Sequence, residues 1–153
     1  MPLAIDKKVP DFSAESTGGP VKLSALKGKK VVLYFYPKDN TPGCTTEGCD
    51  FAAAHKKFEK AGAVILGVSV DSVDSHKDFC TKEGLSFKLL SDSGKAAAKA
   101  YGSLATYQDK EIAVRNTFLI GPDGVIRKVF LKVNPSVHSD EVLAALAQLQ
   151  TAK

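Results

Sequence analysis

No run in this sequence approaches the ~20 consecutive apolar residues that a membrane helix needs. Repeats, low-complexity tracts and linker-like stretches are also missing, so the 153 residues read as one domain, 1–153, large enough to close a hydrophobic core. The N-terminal "MPLAIDKKVPDF" lacks both an apolar h-region and a small-residue cleavage site, so a secretory signal is not expected and a cytoplasmic location is. Basic residues are not gathered on one stripe. The net charge is only +4, and lysines fall in small groups such as Lys27, Lys29 and Lys30, with acids between the groups. Without aromatics interleaved among clustered cations, nucleic acid is not an expected partner. "STGGP" and "GPDG" are turn signals outside the strand–loop–helix context of a phosphate loop, and no bound cofactor is implied. Cysteine is scarce: Cys44, Cys49 and Cys80 are an odd set of three. In a chain with no export signal, that count argues against a disulfide framework and leaves catalysis, metal binding or simple burial.

What is present is a regular alternation of elements. "FSAESTGGPVKLSAL" reads as two short strands around a Gly-Gly turn. Val31 to Tyr36 is continuously apolar, the pattern of a central strand covered on both faces, and Pro37 ends it because proline cannot donate to a ladder. From Cys44 to Ala61 the spacing becomes helical, with Phe51, Ala54, Phe58 and Ala61 recurring every three or four residues. Val64 to Val70 is a second buried strand. "SVDSHKDFCTKEG" is a helix with Ser72 or Asp71 as N-cap and Gly84 just past its end. A short strand in "SFKLLSD" and a short helix closed by Gly102 follow. The segment "YGSLATYQDKEIAVR" is read as a loop, and "VRNTFLIGPDGVIRKVFL" as a β-hairpin. An amphipathic helix opened by Ser139 closes the chain. This order predicts an α/β fold with a central mixed sheet, helices on both faces and an N-terminal β-hairpin, a layout that resembles the thioredoxin-like fold.

The segment "YFYPKDNTPGCTTEGCDF" carries the chemistry. Cys44 follows a strand end and a polar loop, and it opens a helix. There, unpaired backbone N–H groups and the positive end of the helix dipole stabilise a thiolate, the nucleophilic form of the side chain. Cys49 lies five residues on. Across an intact helix, residues five apart are roughly 8–9 Å between Cα atoms and point ~140° apart, beyond the ~7 Å that a disulfide spans. Either the two never pair or the segment unwinds, which Gly48 would ease. A zinc site drawn from Cys44, Cys49, His76 and Cys80 is the metal alternative, although structural zinc pairs sit on turns rather than along a helix. A disulfide oxidoreductase is the other rival. It would place Cys-x-x-Cys at the helix start, where this chain has Cys-x4-Cys, and a proline at the position where it has Arg115.

At this point the residues carry a family resemblance. "YPKDNTPGC", with Pro37, Thr41 and Cys44, is similar to the Pro-x-x-x-Thr-x-x-Cys pattern of the peroxiredoxins. The fuller "FYPKDNTPGCTTEGCDF", with "LGVSVDS", "LLSD" and "TFLIGPDG", resembles the Q type, also called bacterioferritin comigratory protein, over nearly the whole chain. The resemblance implies a thiol-dependent peroxidase acting on hydrogen peroxide and organic hydroperoxides. Cys44 is then the peroxidatic cysteine, oxidised to sulfenic acid. Thr41 offers its hydroxyl to sulfur and peroxide, and Pro37 shields the pocket. The amides of Gly43 and Cys44 add donors, Arg115 stabilises negative charge, and Glu47 holds Arg115 by an ion pair.

The family places its resolving thiol either five residues after the nucleophile or on the next helix, and this chain has both Cys49 and Cys80. Cys49 is favoured because its tether is short and only one helix end must unwind; Cys80 is the alternative, or else a small buried residue. The resemblance further implies re-reduction by thioredoxin or a similar thiol reductant, and a monomer is expected. His55, His76 and His138 sit among charged neighbours and read as solvated surface. Tyr34, Phe35 and Tyr36 read as strand core.

Overall fold

A computed structural model describes residues 7–8, 11–26, 28–37, 39, 42–85, 87–92, 95–107, 110–131, 133 and 141–146, with side chains left undescribed at 42–44, 107 and 110. The N-terminal hairpin pairs β1 (Ser13–Ser16) with β2 (Val21–Lys22), and a 3-10 turn over Leu23–Leu26 follows. β3 (Lys30–Phe35) leads into α1 (Pro42–Ala53) and α2 (His55–Lys60), then β4 (Ala63–Ser69), α3 (Val73–Glu83), β5 (Lys88–Ser91) and α4 (Ala96–Ala100). β6 (Leu104–Tyr107), β7 (Lys110–Ala113), β8 (Thr117–Ile120) and β9 (Ile126–Phe130) complete the strands. Residues 141–146 form a further helix, α5. Ser139, the expected opener of that helix, lies outside the described residues.

Seven strands join one sheet in the order β2-β1-β5-β4-β3-β8-β9. β3, β4 and β5 run parallel, as β-α-β crossovers require, while the β1–β5, β3–β8 and β8–β9 pairs are antiparallel. The mixed sheet matches expectation, and the N-terminal hairpin extends it through β1.

Strand alternation divides β3 between two cores. Val32, Tyr34 and Tyr36 pack with Phe51, Phe58, Phe79, Val142 and Leu146 from α1, α2, α3 and α5. Val31, Leu33 and Phe35 pack with Ala97, Ala98 and Tyr101 at α4 and with Leu23. Phe51 and Phe58 are fully buried, and truncating either to alanine removes about 3–5 kcal/mol. α3 ends as its sequence predicts. Ser72 accepts a hydrogen bond from the Ser75 N–H, and Gly84 takes the left-handed C-cap with φ 66°.

Two readings change. The helix expected from Cys44 to Ala61 is divided at Ala54, whose φ −95° and ψ 2° separate α1 from α2; the inward face still follows the predicted spacing. The stretch read as a loop contains a hairpin, β6–β7, paired from Leu104↔Ala113 to Tyr107↔Lys110. No Asn-Gly or Gly-rich pair marks its turn, which hid it from a reading based on turn residues.

Candidate active site

The carboxyl end of β3 is where the chemistry-bearing segments meet. β3 is antiparallel to β8 with Tyr34 opposite Thr117, and the Phe35 N–H donates to the Asn116 carbonyl at 2.8 Å. Arg115 directly precedes Asn116 of this pair, in the bend where the chain turns into β8 beside the end of β3. The turn bearing Arg115 is tied on several sides. The Val114 N–H donates to the Ser103 carbonyl, the Val133 N–H to the Arg115 carbonyl, and the Asn116 amide to the Ser103 hydroxyl.

α1 begins at Pro42, a residue suited to the first helical position because the N–H it lacks would be unpaired there. Cys44 therefore lies in the first turn of a twelve-residue helix, at its positive end. Gly43 shares that turn. The Cys44 side chain and all of Thr41 lie outside what is described. Pro37 is half-buried at the end of β3.

One turn after Cys44, Glu47 points inward with 1% exposure. Its Oε1 accepts from Arg115 Nη1 at 3.1 Å, the ion pair anticipated from sequence. Oε2 has no hydrogen-bond partner among the described residues. Burial pushes the Glu47 carboxyl up to about 7, and Arg115 opposes that rise. A cation from the β7–β8 turn is thus held beside the helix whose first turn carries Cys44.

The two other thiols are half-buried and free, and both are pushed above the ordinary thiol range. For Cys49, burial is the first cause and the Glu83 carboxylate, 3.7 Å away, the second. For Cys80, burial dominates, Asp39 adds to the rise and a hydrogen bond with Thr17 opposes it. Neither environment favours a resting thiolate. Cys49 and Cys80 face different partners, and His76 is engaged elsewhere, so the zinc alternative gains no support.

His76 corrects the sequence reading most sharply, being fully buried rather than solvated. Its Nε2 meets the Leu90 carbonyl at 2.8 Å and its Nδ1 meets Asp39 Oδ2 at 2.7 Å. Asp39, itself buried, also accepts from Ser75 Oγ at 2.7 Å and from Tyr36 Oη at 2.6 Å. Its backbone N–H donates to Asp71 Oδ2, which takes a second bond from Ser69 Oγ. Burial pushes the Asp39 carboxyl up, but the bonds from His76, Tyr36 and Ser75 outweigh it and hold the group below its usual range. The missed signal was periodicity: His76 lies three and four residues before Phe79 and Cys80, on the inward face of α3. His55 is half-buried as well, edge-on to the Phe87 ring, while His138 lies outside the described residues.

Comparison with known proteins identifies the family and the fold. The AhpC/TSA family profile matches residues 5–129. Peroxiredoxin Bcp of Xanthomonas campestris pv. campestris is 47% identical over 135 residues, covering 86% of this chain and 84% of that one. The crystal structure of a cysteine-to-serine variant of Xylella fastidiosa PrxQ superposes with a TM-score of 0.93 at 36% identity, over 98% of this chain and 99% of that one. Structures of the Xanthomonas campestris bacterioferritin comigratory protein, described for its alkyl peroxide reduction activity, superpose at 0.83 with 44% identity, over 90% of each chain. For the Xanthomonas campestris peroxiredoxin Q there are also serine variants at two cysteines, separated by the same interval as Cys44 and Cys80. Among the described residues no helix is long and apolar enough to cross a membrane. With its thioredoxin-like mixed sheet, its strand-to-helix cysteine and this breadth of similarity, the chain belongs to the AhpC/TSA family as a peroxiredoxin of the Bcp or Q type, a peroxide-reducing oxidoreductase.

Proposed function

We propose that this chain reduces hydrogen peroxide and organic hydroperoxides to water or alcohols, with Cys44 as the nucleophile. The Cys44 thiolate attacks the distal peroxide oxygen, the O–O bond breaks, and the departing oxygen takes a proton and leaves as water or alcohol. Cys44 is left as sulfenic acid. Thr41 and the amides of Gly43 and Cys44 donate hydrogen bonds to the reacting atoms, and Pro37 covers the pocket. Arg115 stabilises charge on sulfur and on the leaving oxygen, and Glu47 aims Arg115. The observation that carries this reading is the Arg115–Glu47 pair, which holds a cation against the helix whose first turn bears Cys44. The raised pKa values of Cys49 and Cys80 support it by leaving Cys44 as the thiol best placed for activation.

Cys49 then attacks the sulfenic sulfur, the S–S bond forms and hydroxide leaves with a proton as water. The resulting intramolecular disulfide is reduced by thioredoxin or a similar dithiol, in the cytoplasm, with the chain acting as a monomer. Cys49 is preferred because its described contact is a long S···O approach to Glu83. The turn before Cys80, by contrast, is pinned through His76. Cys80 is the second reading, favoured by the cysteine spacing in the Xanthomonas campestris protein.

The test is peroxide consumption dependent on a thiol reductant, which is lost in Cys44→Ser; sustained turnover in that variant defeats the proposal. Mass mapping of the disulfide after one equivalent of peroxide, in wild type, Cys49→Ser and Cys80→Ser, separates the resolvers. Unchanged disulfide formation and turnover without Cys49 would transfer the role to Cys80.

A further inference from the structure

We propose that His76 is a positioning residue for the peroxide reaction: through Asp39 it locks the segment between β3 and α1 in the conformation that presents Cys44. This deepens the function proposed above and rests on it. Asp39 stands two residues before Thr41 and five before Cys44, in the stretch that joins the sheet to the reactive helix. It is buried, and its fixed points all lie outside its own segment's helix. Ser75 and His76 of α3 hold Oδ2, Tyr36 at the end of β3 holds Oδ1, and Asp71 holds its backbone N–H. His76 is in turn anchored to the sheet by its bond to the Leu90 carbonyl. Three separated parts of the chain thus converge on one aspartate of the active-site loop. A fully satisfied buried network of this kind specifies a single geometry, because any displacement leaves several polar groups unpaired at once. Asp39, Asp71 and His76 have the composition of a cation site. Each ligating atom is already engaged by a protein partner, however, so the set acts as a clamp.

Both ring nitrogens are used, which permits a test that separates positioning from folding. In His76→Asn the amide sits where Nδ1 was, keeping a donor for Asp39 and losing Leu90. In His76→Gln the amide reaches toward the Nε2 position, keeping Leu90 and losing Asp39. Each variant gives up one buried bond, so unfolding midpoints in urea are expected to fall by similar amounts. The second-order rate of Cys44 oxidation by hydrogen peroxide, followed by stopped-flow, is expected to drop about 10- to 100-fold in His76→Gln, in line with the cost of a misplaced reacting group. His76→Asn is expected to retain most of the wild-type rate. The pH profile of Cys44 alkylation by iodoacetamide is expected to shift in His76→Gln and stay in place in His76→Asn. Equal rates in the two variants, or wild-type rates in both, overturn the clamp. Should neither fold, Ser75→Ala carries the test: a fall of about threefold or more supports it and an unchanged rate refutes it. A wild-type protein that consumes no peroxide would instead sink the underlying functional reading, a distinct outcome.

Discussion

Glu47 offers a sharp quantitative test of the site's electrostatics. Its carboxyl is buried, shares one ion pair with Arg115, and is pushed from the usual 4.5 to about 7. A carboxyl whose value is higher in the folded than in the unfolded chain binds more protons when folded. Its contribution is therefore fully present below about 4.5 and is lost as pH rises through about 7. At about 1.4 kcal/mol per tenfold, that window is worth about 3 kcal/mol. Glu47→Gln keeps the shape and an oxygen acceptor for Arg115 but removes the titration. Urea unfolding of the reduced protein at pH 4 and pH 8 should show the wild type losing about 3 kcal/mol more than the variant. With a slope of about 2 kcal/mol per molar, the wild-type midpoint should move by about 1.5 M relative to Glu47→Gln. Parallel behaviour of the two proteins across that range would refute the claim that Glu47 is ionised only at a cost. Above neutrality the carboxylate grips Arg115 most firmly, so stability and active-site order change in opposite directions with pH.

Arg115→Gln removes the guanidinium donors and leaves Glu47 without its counter-charge; the peroxide rate should fall about 100-fold, and a rate within a few-fold of wild type would remove Arg115 from the mechanism. Gly48→Ala adds about 1 kcal/mol of helix propensity to α1, and the Leu85 methyl carbons, 3.3 and 3.4 Å from the new Cβ, must give by a few tenths of an ångström for α1 to stiffen. Disulfide formation should slow and sulfinic acid at Cys44 should accumulate in mass spectra under excess peroxide, whereas wild-type resolution speed would deny that α1 unwinds. Gly84→Ala forces a side chain into φ 66° at a helix C-cap, costing about 1 kcal/mol; Tm should fall by about 2–4 °C while peroxide reduction is unaffected.

Local rules made much of this fold readable. The ends of α3 follow from Ser72 and Gly84 because capping is decided within four residues. β3 and β4 follow from their dense apolar runs, and the placement of Cys44 at a helix start follows from Pro37, the polar loop and Pro42. The β6–β7 hairpin was not readable, because its strands carry mixed polar residues and its turn lacks a marked pair. The division of the long helix at Ala54 has no local breaker to announce it; neither proline nor glycine stands there.

The difference between His76 and Arg115 shows where sequence stops. The family resemblance singled out Arg115, and the antiparallel pairing of β3 with β8, carried on by the Phe35–Asn116 hydrogen bond, is the physical cause of its place beside the end of β3. His76 belongs to no comparable motif, and its charged neighbours masked an inward-facing position. By itself the sequence determined the order of elements, the place of Cys44 at the start of α1 and the identity of the three candidate thiols. Only tertiary structure decided that Asp39, Ser75 and His76 share one buried network, that Glu47 is desolvated, and that Cys49 and Cys80 face different surroundings. Those properties depend on which atoms are brought together across the sheet and on how much water is expelled between them, and neither quantity is encoded in any short stretch of chain.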